Sequence, residues 1–402
     1  MGLAIAIVTG ALAAFGVVCG SYDGAPGPSS ADPAATQAAG ASARRIHRYV
    51  SPQGSDRNRG SRARPWRTLG RAAARVRPGV TVHVAPGRYA GPLTIARSGT
   101  ARRPVRFVSD RRWRARISAR GEEVTVVEIR ADHVTFAGFD VTGDGVERAV
   151  GIDVEGSENV IAGNRVHDLA APCAPGAGIG IGDEGYRAQG GLVVGNVVER
   201  IGTGPRDGTC RLIHGIYAAV PRVTIVNNIV RRAIGDGITS WHAARDLTIA
   251  NNLSVLNGGA GILVGSGSAG ASSVGHIRTL VSNNIVYRNA KYGITETSDG
   301  SHDVGPGNRY LNNLAFANRG GDRSSSSGVG GLSSGEIVRR NLNADPLLKG
   351  AGYRPRARSP AVDGGTCEGA SRRDFEGAAR LQGRAVDIGP YERRSAPGRC
   401  DR

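Results

Sequence analysis

Two short hydrophobic patterns alternate between Gly151 and Asn341. One is a Gly-Ile dipeptide followed by small or apolar residues, at Gly151-Ile152, Gly178-Ile179, Gly215-Ile216, Gly237-Ile238, Gly261-Ile262 and Gly293-Ile294. The other is an apolar alternation that ends in asparagine: Val160 to Asn164, Leu192 to Asn196, Val223 to Asn228, Leu247 to Asn252, Leu280 to Asn284, Tyr310 to Asn313 and Ile337 to Asn341. Each cycle supplies two short strands and an asparagine turn, and successive Gly-Ile signals lie 22 to 37 residues apart. A period of that size marks stacked repeats, each burying its apolar face against its neighbours. The pattern predicts an all-β fold, a parallel β-solenoid.

Side chains alternate between the two faces of a strand. With each isoleucine inward, the residues one and three places later face out: Asp153 and Glu155, Gly180, Tyr217, Thr239 and Trp241, Leu263, and Thr295 and Thr297. Exposed aromatics on such a face can stack on sugar rings, and a tyrosine can also donate or accept a proton. Tyr217 and Trp241 are therefore candidates for a ligand face, with His242 and Thr239 beside them. The asparagines belong to the fold, because asparagine tolerates a left-handed turn and its amide can bond to the next coil.

The same ruler aligns residues between coils, which rise about 4.8 Å each. Cys173 and Cys210 each precede their isoleucine by six residues, so they stack within disulfide reach. Cys367 and Cys400 form the remaining pair, and an even set of four bridged cysteines fits an oxidising compartment. His214 and Asp236 each lie two places before their isoleucine and become neighbours. Strict alternation points both inward as a structural pair. An offset in the strand start would instead present a His-carboxylate pair for general acid-base work.

The chain before and after the repeats supplies a resemblance. Tyr49 to Asp56 (YVSPQGSD), Pro65-Trp66-Arg67-Thr68-Leu69, Thr81 to Tyr89 (TVHVAPGRY), Ser98-Gly99-Thr100 and Pro104 to Phe107 resemble the amino-terminal cap of secreted right-handed parallel β-helix proteins, the pectate-lyase-like superfamily. Pro65 suits the first turn of a helix, with Trp66, Leu69, Ala73 and Val76 on one face to plug the open end of the first coil. Ser359 to Gly365 and Ala385 to Glu392 resemble the carboxy-terminal segment of exported bacterial members; Asp363, Asp387 and Glu392 are assigned to turns and packing there. The expected organisation is a signal peptide or anchor over 1–20, a linker rich in Ala, Gly, Pro and Ser over 21–48, the β-helix with its amino-terminal helix cap over 49–345, and a capping segment over 346–402.

Composition narrows the partners. Fifty-two basic residues against 34 acidic give a net charge of +18, which attracts polyanions. Only Lys291 and Lys349 are lysines, so the excess is arginine, a bias that codon usage explains as readily as ligand binding. No basic stripe is interleaved with aromatics, which argues against nucleic acid. The apolar run Gly2 to Gly20 reads as a secretory segment, with Cys19 a marginal lipidation site, so a secreted or cell-surface monomer is expected.

Chemistry belongs where the interval lengthens. Gly178 to Gly215 spans 37 residues and Gly261 to Gly293 spans 32, against 22 for the shortest coil, and the excess must leave the coil as loops. The first loop carries Asp183, Tyr186, Arg187, Arg206, Asp207 and Arg211. Tyr186 and Arg187 are candidate substrate contacts. β-Helix lyases of uronate polymers use a lysine or arginine base, and that resemblance makes Lys291, Arg211 and Arg245 candidates. Asp153, Glu155 and Asp183 offer oxygen ligands for Ca²⁺. Together these readings favour a lyase acting on acidic polysaccharide; a non-catalytic glycan or envelope-polymer binder and a glycoside hydrolase are the alternatives. The absence of any Asp-Asp pair speaks against the polygalacturonase branch.

Overall fold

The computed structural model describes residues 46–393 apart from 120–124, 146, 148, 184, 268–276, 301–303, 321–328, 331 and 333–335. The expected leader, Cys19 and Cys400 therefore lie outside the described residues.

The strands stack into three long parallel sheets of 11, nine and nine strands. The first runs from Ile46–Val50 to Ile337–Arg339, the second from Gly87–Gly91 to Leu314–Phe316, and the third from Leu93–Ile95 to Val329–Gly330. Each coil visits the three in turn, so the chain is a right-handed parallel β-helix. The interior holds one aliphatic core, from Val82 and Phe107 through Ile152, Ile179 and Ile216 to Ile294 and Tyr310.

The asparagines sit where the first sheet turns into the second. Asn164, Asn196, Asn228, Asn252, Asn284, Asn313 and Asn341 stack one above another. From Asn196 onward each side-chain oxygen accepts from the backbone N–H of the asparagine below at 2.9 to 3.0 Å, and that of Asn164 accepts from the Phe139 N–H. Burial makes this ladder necessary, because an unpaired amide there costs about 1–3 kcal/mol. In the Asn-Asn pairs the preceding member has a different task. Asn227, Asn251, Asn283 and Asn312 adopt positive φ and turn their amides outward onto residues 364–389 of the carboxy-terminal segment. That segment therefore lies along the flank of four coils. Within it Asp387 accepts from the Asp363 and Arg393 N–H groups, and Glu392 from Asp387 and Gln382.

The Gly-Ile signal is explained by space. A Cβ on Gly215 would lie 2.2 Å from Val230 and 2.5 Å from the Gly237 carbonyl, and Gly151, Gly178, Gly237 and Gly261 meet the same obstacle. The glycine and the isoleucine both face inward, so the strand carries one extra residue there.

Near the amino terminus the helix spans Leu69–Ala73 with Thr68 as its N-cap, Thr68 Oγ1 accepting from the Arg71 N–H at 3.1 Å. Pro65 stands ahead of the helix, not in its first turn, because the Asp56 carboxylate ties the Arg67 and Thr68 N–H groups. Trp66, Leu69, Ala73 and Val76 are buried, although Trp66 and Val76 lie outside the helix.

The outer face of the second sheet carries an ion column. The Glu199 carboxylate, 1% exposed, pairs with Arg165 at 2.6 Å, Arg231 at 2.5 Å and Arg200 at 3.0 Å. His167, one coil earlier, lies between two carboxylates, Asp140 at 2.8 Å and Asp168 at 2.6 Å.

Candidate functional site

The third sheet presents one outward column in register: Thr94, Glu128, Asp153, Gly180, Tyr217, Thr239, Leu263 and Thr295. The inward Gly215 and Gly237 decide what joins it. Ile213 and Ile216 are both fully buried, so the alternation resets at Gly215 and His214 faces out. Of the two orientations that the sequence left open, His214 takes the outer one, beside Tyr217.

His214 is closely held. Its Nδ1 lies 3.1 Å from Thr239 Oγ1 and 3.4 Å from Asp236 Oδ2, and its ring stacks on Tyr217 with centroids 5.2 Å apart. Asp236 Oδ1 accepts the Ala260 N–H at 2.6 Å, which orients the carboxylate. Nε2 has no hydrogen-bond partner among the described residues. Such a ring can exchange a proton through Nε2 while Nδ1 stays anchored.

Tyr217 lies outward as expected, under partial cover. Tyr186, buried and held at φ 43°, packs with Ala219 and Ala243 against it. The His242 ring stands 5.2 Å from Tyr186 and 6.3 Å from Tyr217. Burial, with Tyr186 adding to it, pushes the Tyr217 phenol far above its ordinary range, so it stays protonated at every working pH. Trp241 spreads its indole over Gly265 and Gly267, where added Cβ atoms would fall 2.1 and 2.3 Å from the ring. Its partly exposed outer face is a platform of the kind that sugars stack on.

Across Gly180 from Tyr217 stands Asp153. Burial raises its pKa to about 7, with Glu155 and Glu128 adding repulsion. The folded carboxyl thus keeps a proton that the unfolded chain releases near 3.8, and stability is lost as pH rises between those values. Asp153→Asn removes that loss. It should raise the melting temperature at about pH 8 and leave it nearly unchanged at about pH 4. The expected gain is about 1–2 kcal/mol, reduced from the full linkage value because the group is partly exposed.

The sequence comparisons agree with the architecture. A family model described as "Pel9A-like, right handed beta helix region" matches residues 48–193, and one described as "Right handed beta helix region" matches 126–313. Both descriptions agree with the right-handed parallel β-helix that the three stacked sheets form. Pectate lyase Pel9A is similar over 87% of this chain and 96% of its own, at 18% identity and a TM-score of 0.58. A rhamnogalacturonan lyase is similar over 76% of this chain and 91% of its own, at 17% identity and TM-score 0.57. Both likenesses are of fold. Uncharacterized protein YwoF of Bacillus subtilis (strain 168) is 34% identical over 124 residues, which is 28% of this chain and about a quarter, 26%, of that protein.

Other expected site residues of the β-helix lie apart from His214. Lys291 precedes Ile294, three coils beyond Ile216, a rise of about 14 Å. It lies against Gly208 of the long loop, with the Asp207 charge close by, so it cannot act at the same atom as His214. Arg245 sits in the turn back to the first sheet, its carbonyl accepting the Arg222 N–H. Arg211 and Arg187 are exposed, Arg187 facing Asp183 at 3.9 Å. The carboxylates expected to hold Ca²⁺ do not converge: Asp183 caps its own turn through the Ala188 N–H, Glu155 faces Arg130 at 3.7 Å, and Asp153 favours a proton. Among the described residues no three His, Cys, Asp or Glu side chains are placed to share a metal.

Cys173 and Cys210 are bonded, with Cα atoms 5.5 Å apart, as their register requires. Cys367 is also disulfide-bonded. Glu128 escaped the sequence reading because its strand lacks the Gly-Ile signal.

Proposed function

We propose that this β-helix cleaves an acidic polysaccharide by β-elimination on the third-sheet face. The observation that carries the reading is His214: Nδ1 anchored by Asp236 and Thr239, ring stacked on Tyr217, Nε2 without a hydrogen-bond partner among the described residues. In the proposed step Nε2 accepts the proton next to a uronate carboxyl, and its electron pair forms the new C=C bond. The neighbouring C–O bond then breaks, and the leaving oxygen takes a proton from the Tyr217 hydroxyl. Trp241 supports a neighbouring sugar. The net charge of +18 and the fold shared with a pectate lyase and a rhamnogalacturonan lyase support the choice of substrate, and the disulfides support an extracellular setting.

Incubation with polygalacturonate, rhamnogalacturonan and alginate, with and without Ca²⁺, tests it. Unsaturated product absorbing in the near ultraviolet is expected with at least one. New reducing ends without that absorbance would instead assign hydrolysis, with Asp153, which retains its proton to near neutral pH, as the acid. Saturable binding without either product would leave a binding protein.

A further inference from the structure

Where the second sheet turns into the third, each coil from Arg165–Leu169 to Leu314–Phe316 places one residue at positive φ: Asp168, Arg200, Arg232, Leu256, Arg288 and Ala317. At the opposite corner, between the first and second sheets, the equivalent positions are glycine or asparagine from Gly138 to Asn312, the residues that a left-handed backbone favours. Arginine brings no backbone advantage there. Its side chain is the reason to look.

The earlier members of the column are neutralised, since Arg200 binds Asp168 at 2.5 Å and Arg165 and Arg231 share Glu199. Further along the balance fails. Arg206, Arg232, Arg288 and Arg319 line one groove of about 240 Å³ over Leu256, Asn257 and Ala290. All four are exposed, and among the described residues none is paired with a carboxylate. The disulfide-anchored loop supplies Arg206 and forms one wall, its Cα 2.9 Å from where a Cβ of Gly258 would stand. Arg288 also rests on the Tyr287 ring at 4.9 Å. Asp207 is the nearby acid, and Thr209 and the Lys291 charge already engage it.

We infer that this groove is a second, non-catalytic site that anchors the anionic groups of a polysaccharide strand. Like charges crowded without counter-ions repel, and an acidic ligand relieves that repulsion. Guanidinium groups suit carboxylate and sulfate because both accept paired N–H donors. Arg232 and Arg288 are two coils apart, about 10 Å, a spacing close to the length of a disaccharide. The groove lies at the corner between the second and third sheets, whereas His214 lies on the third-sheet strand face. It would hold a polymer while another stretch occupies the strand face.

Binding of the full chain to polygalacturonate, dextran sulfate and neutral dextran, measured by calorimetry over a salt series, tests the site. Both charged polymers should bind with salt-dependent affinity, and neutral dextran should not. Preference between the first two separates carboxylate from sulfate recognition. R232Q/R288Q should weaken binding about ten-fold or more and flatten the salt dependence. R62Q/R64Q, which removes two exposed arginines elsewhere, should change little. Equal loss in both double variants would reduce the effect to net charge and overturn the proposal, as would undiminished binding by R232Q/R288Q with a wild-type melting curve. Should that variant unfold, R206Q/R319Q replaces it under the same criteria. Ultraviolet absorbance in the same samples reports elimination separately, so failure of the groove and failure of the strand-face chemistry are read apart.

Discussion

His214→Ala should lower the rate of unsaturated-product formation by about 10²–10⁴-fold, the range expected when a positioned general base is removed. The geometry gives the reason. Asp236 and Thr239 occupy Nδ1, so one tautomer and one ring orientation are maintained, and Nε2 alone remains to accept a proton. Asp236→Asn should reduce kcat with little change in KM, because it alters the orientation of the ring and not the sugar contacts. Tyr217→Phe should leave the proton acceptor intact but remove the donor to the leaving oxygen, and a substrate with a better leaving group should rescue it in part. Lys291→Ala is the control that separates the two proposed bases. At about 14 Å along the axis it should affect KM for long polymers at most. Loss of activity in Lys291→Ala with retention in His214→Ala, followed by product absorbance, would reverse the assignment.

The largest expected effect on stability is at Glu199. Its carboxylate is almost fully buried and serves three guanidinium groups. Burial opposes the charge, yet hydrogen bonding from Arg165 and the charges of Arg231 and Arg200 hold its pKa below the ordinary value. Glu199→Ala leaves Arg165 and Arg231 close together without an anion, while Arg200 keeps Asp168. Removing one partner of a buried ionic cluster costs about 3–5 kcal/mol, visible as a lower melting temperature at neutral pH. The sign with pH follows from the lowered pKa. The stabilisation is present above the unfolded value and is lost as pH falls through the folded one, so wild type and variant should converge in acid. Asp140 and Asp168, also lowered, the latter mainly through hydrogen bonding from Arg200, make the same acid-labile contribution. A variant as stable as wild type at neutral pH would show that the column is dispensable.

How much of this was legible before folding depended on whether a feature repeats. The asparagine ladder, the Cys173–Cys210 bond and the outward Tyr217 and Trp241 all follow from a period that can be read along the chain. The orientation of His214 did not follow, because the residue that breaks alternation is Gly215 itself. Its inward position is forced by Val230, more than a dozen residues away. Cover over Tyr217 was equally hidden, since Tyr186 reaches it only when the loop after Gly182 folds back.

The arginines show the same division. Composition made the chain basic, but it could not say which charges Glu199 and Asp168 neutralise and which remain bare at the second-to-third corner. Likewise the paired asparagines read as one signal, while in the fold one member faces the ladder and the other grips the carboxy-terminal segment. Periodicity along the chain determined the coil, its register and the disulfide, because stacking makes residues one repeat apart into neighbours. Only the tertiary structure decided which polar residues meet, because loops and corners between coils are placed by contacts that have no period.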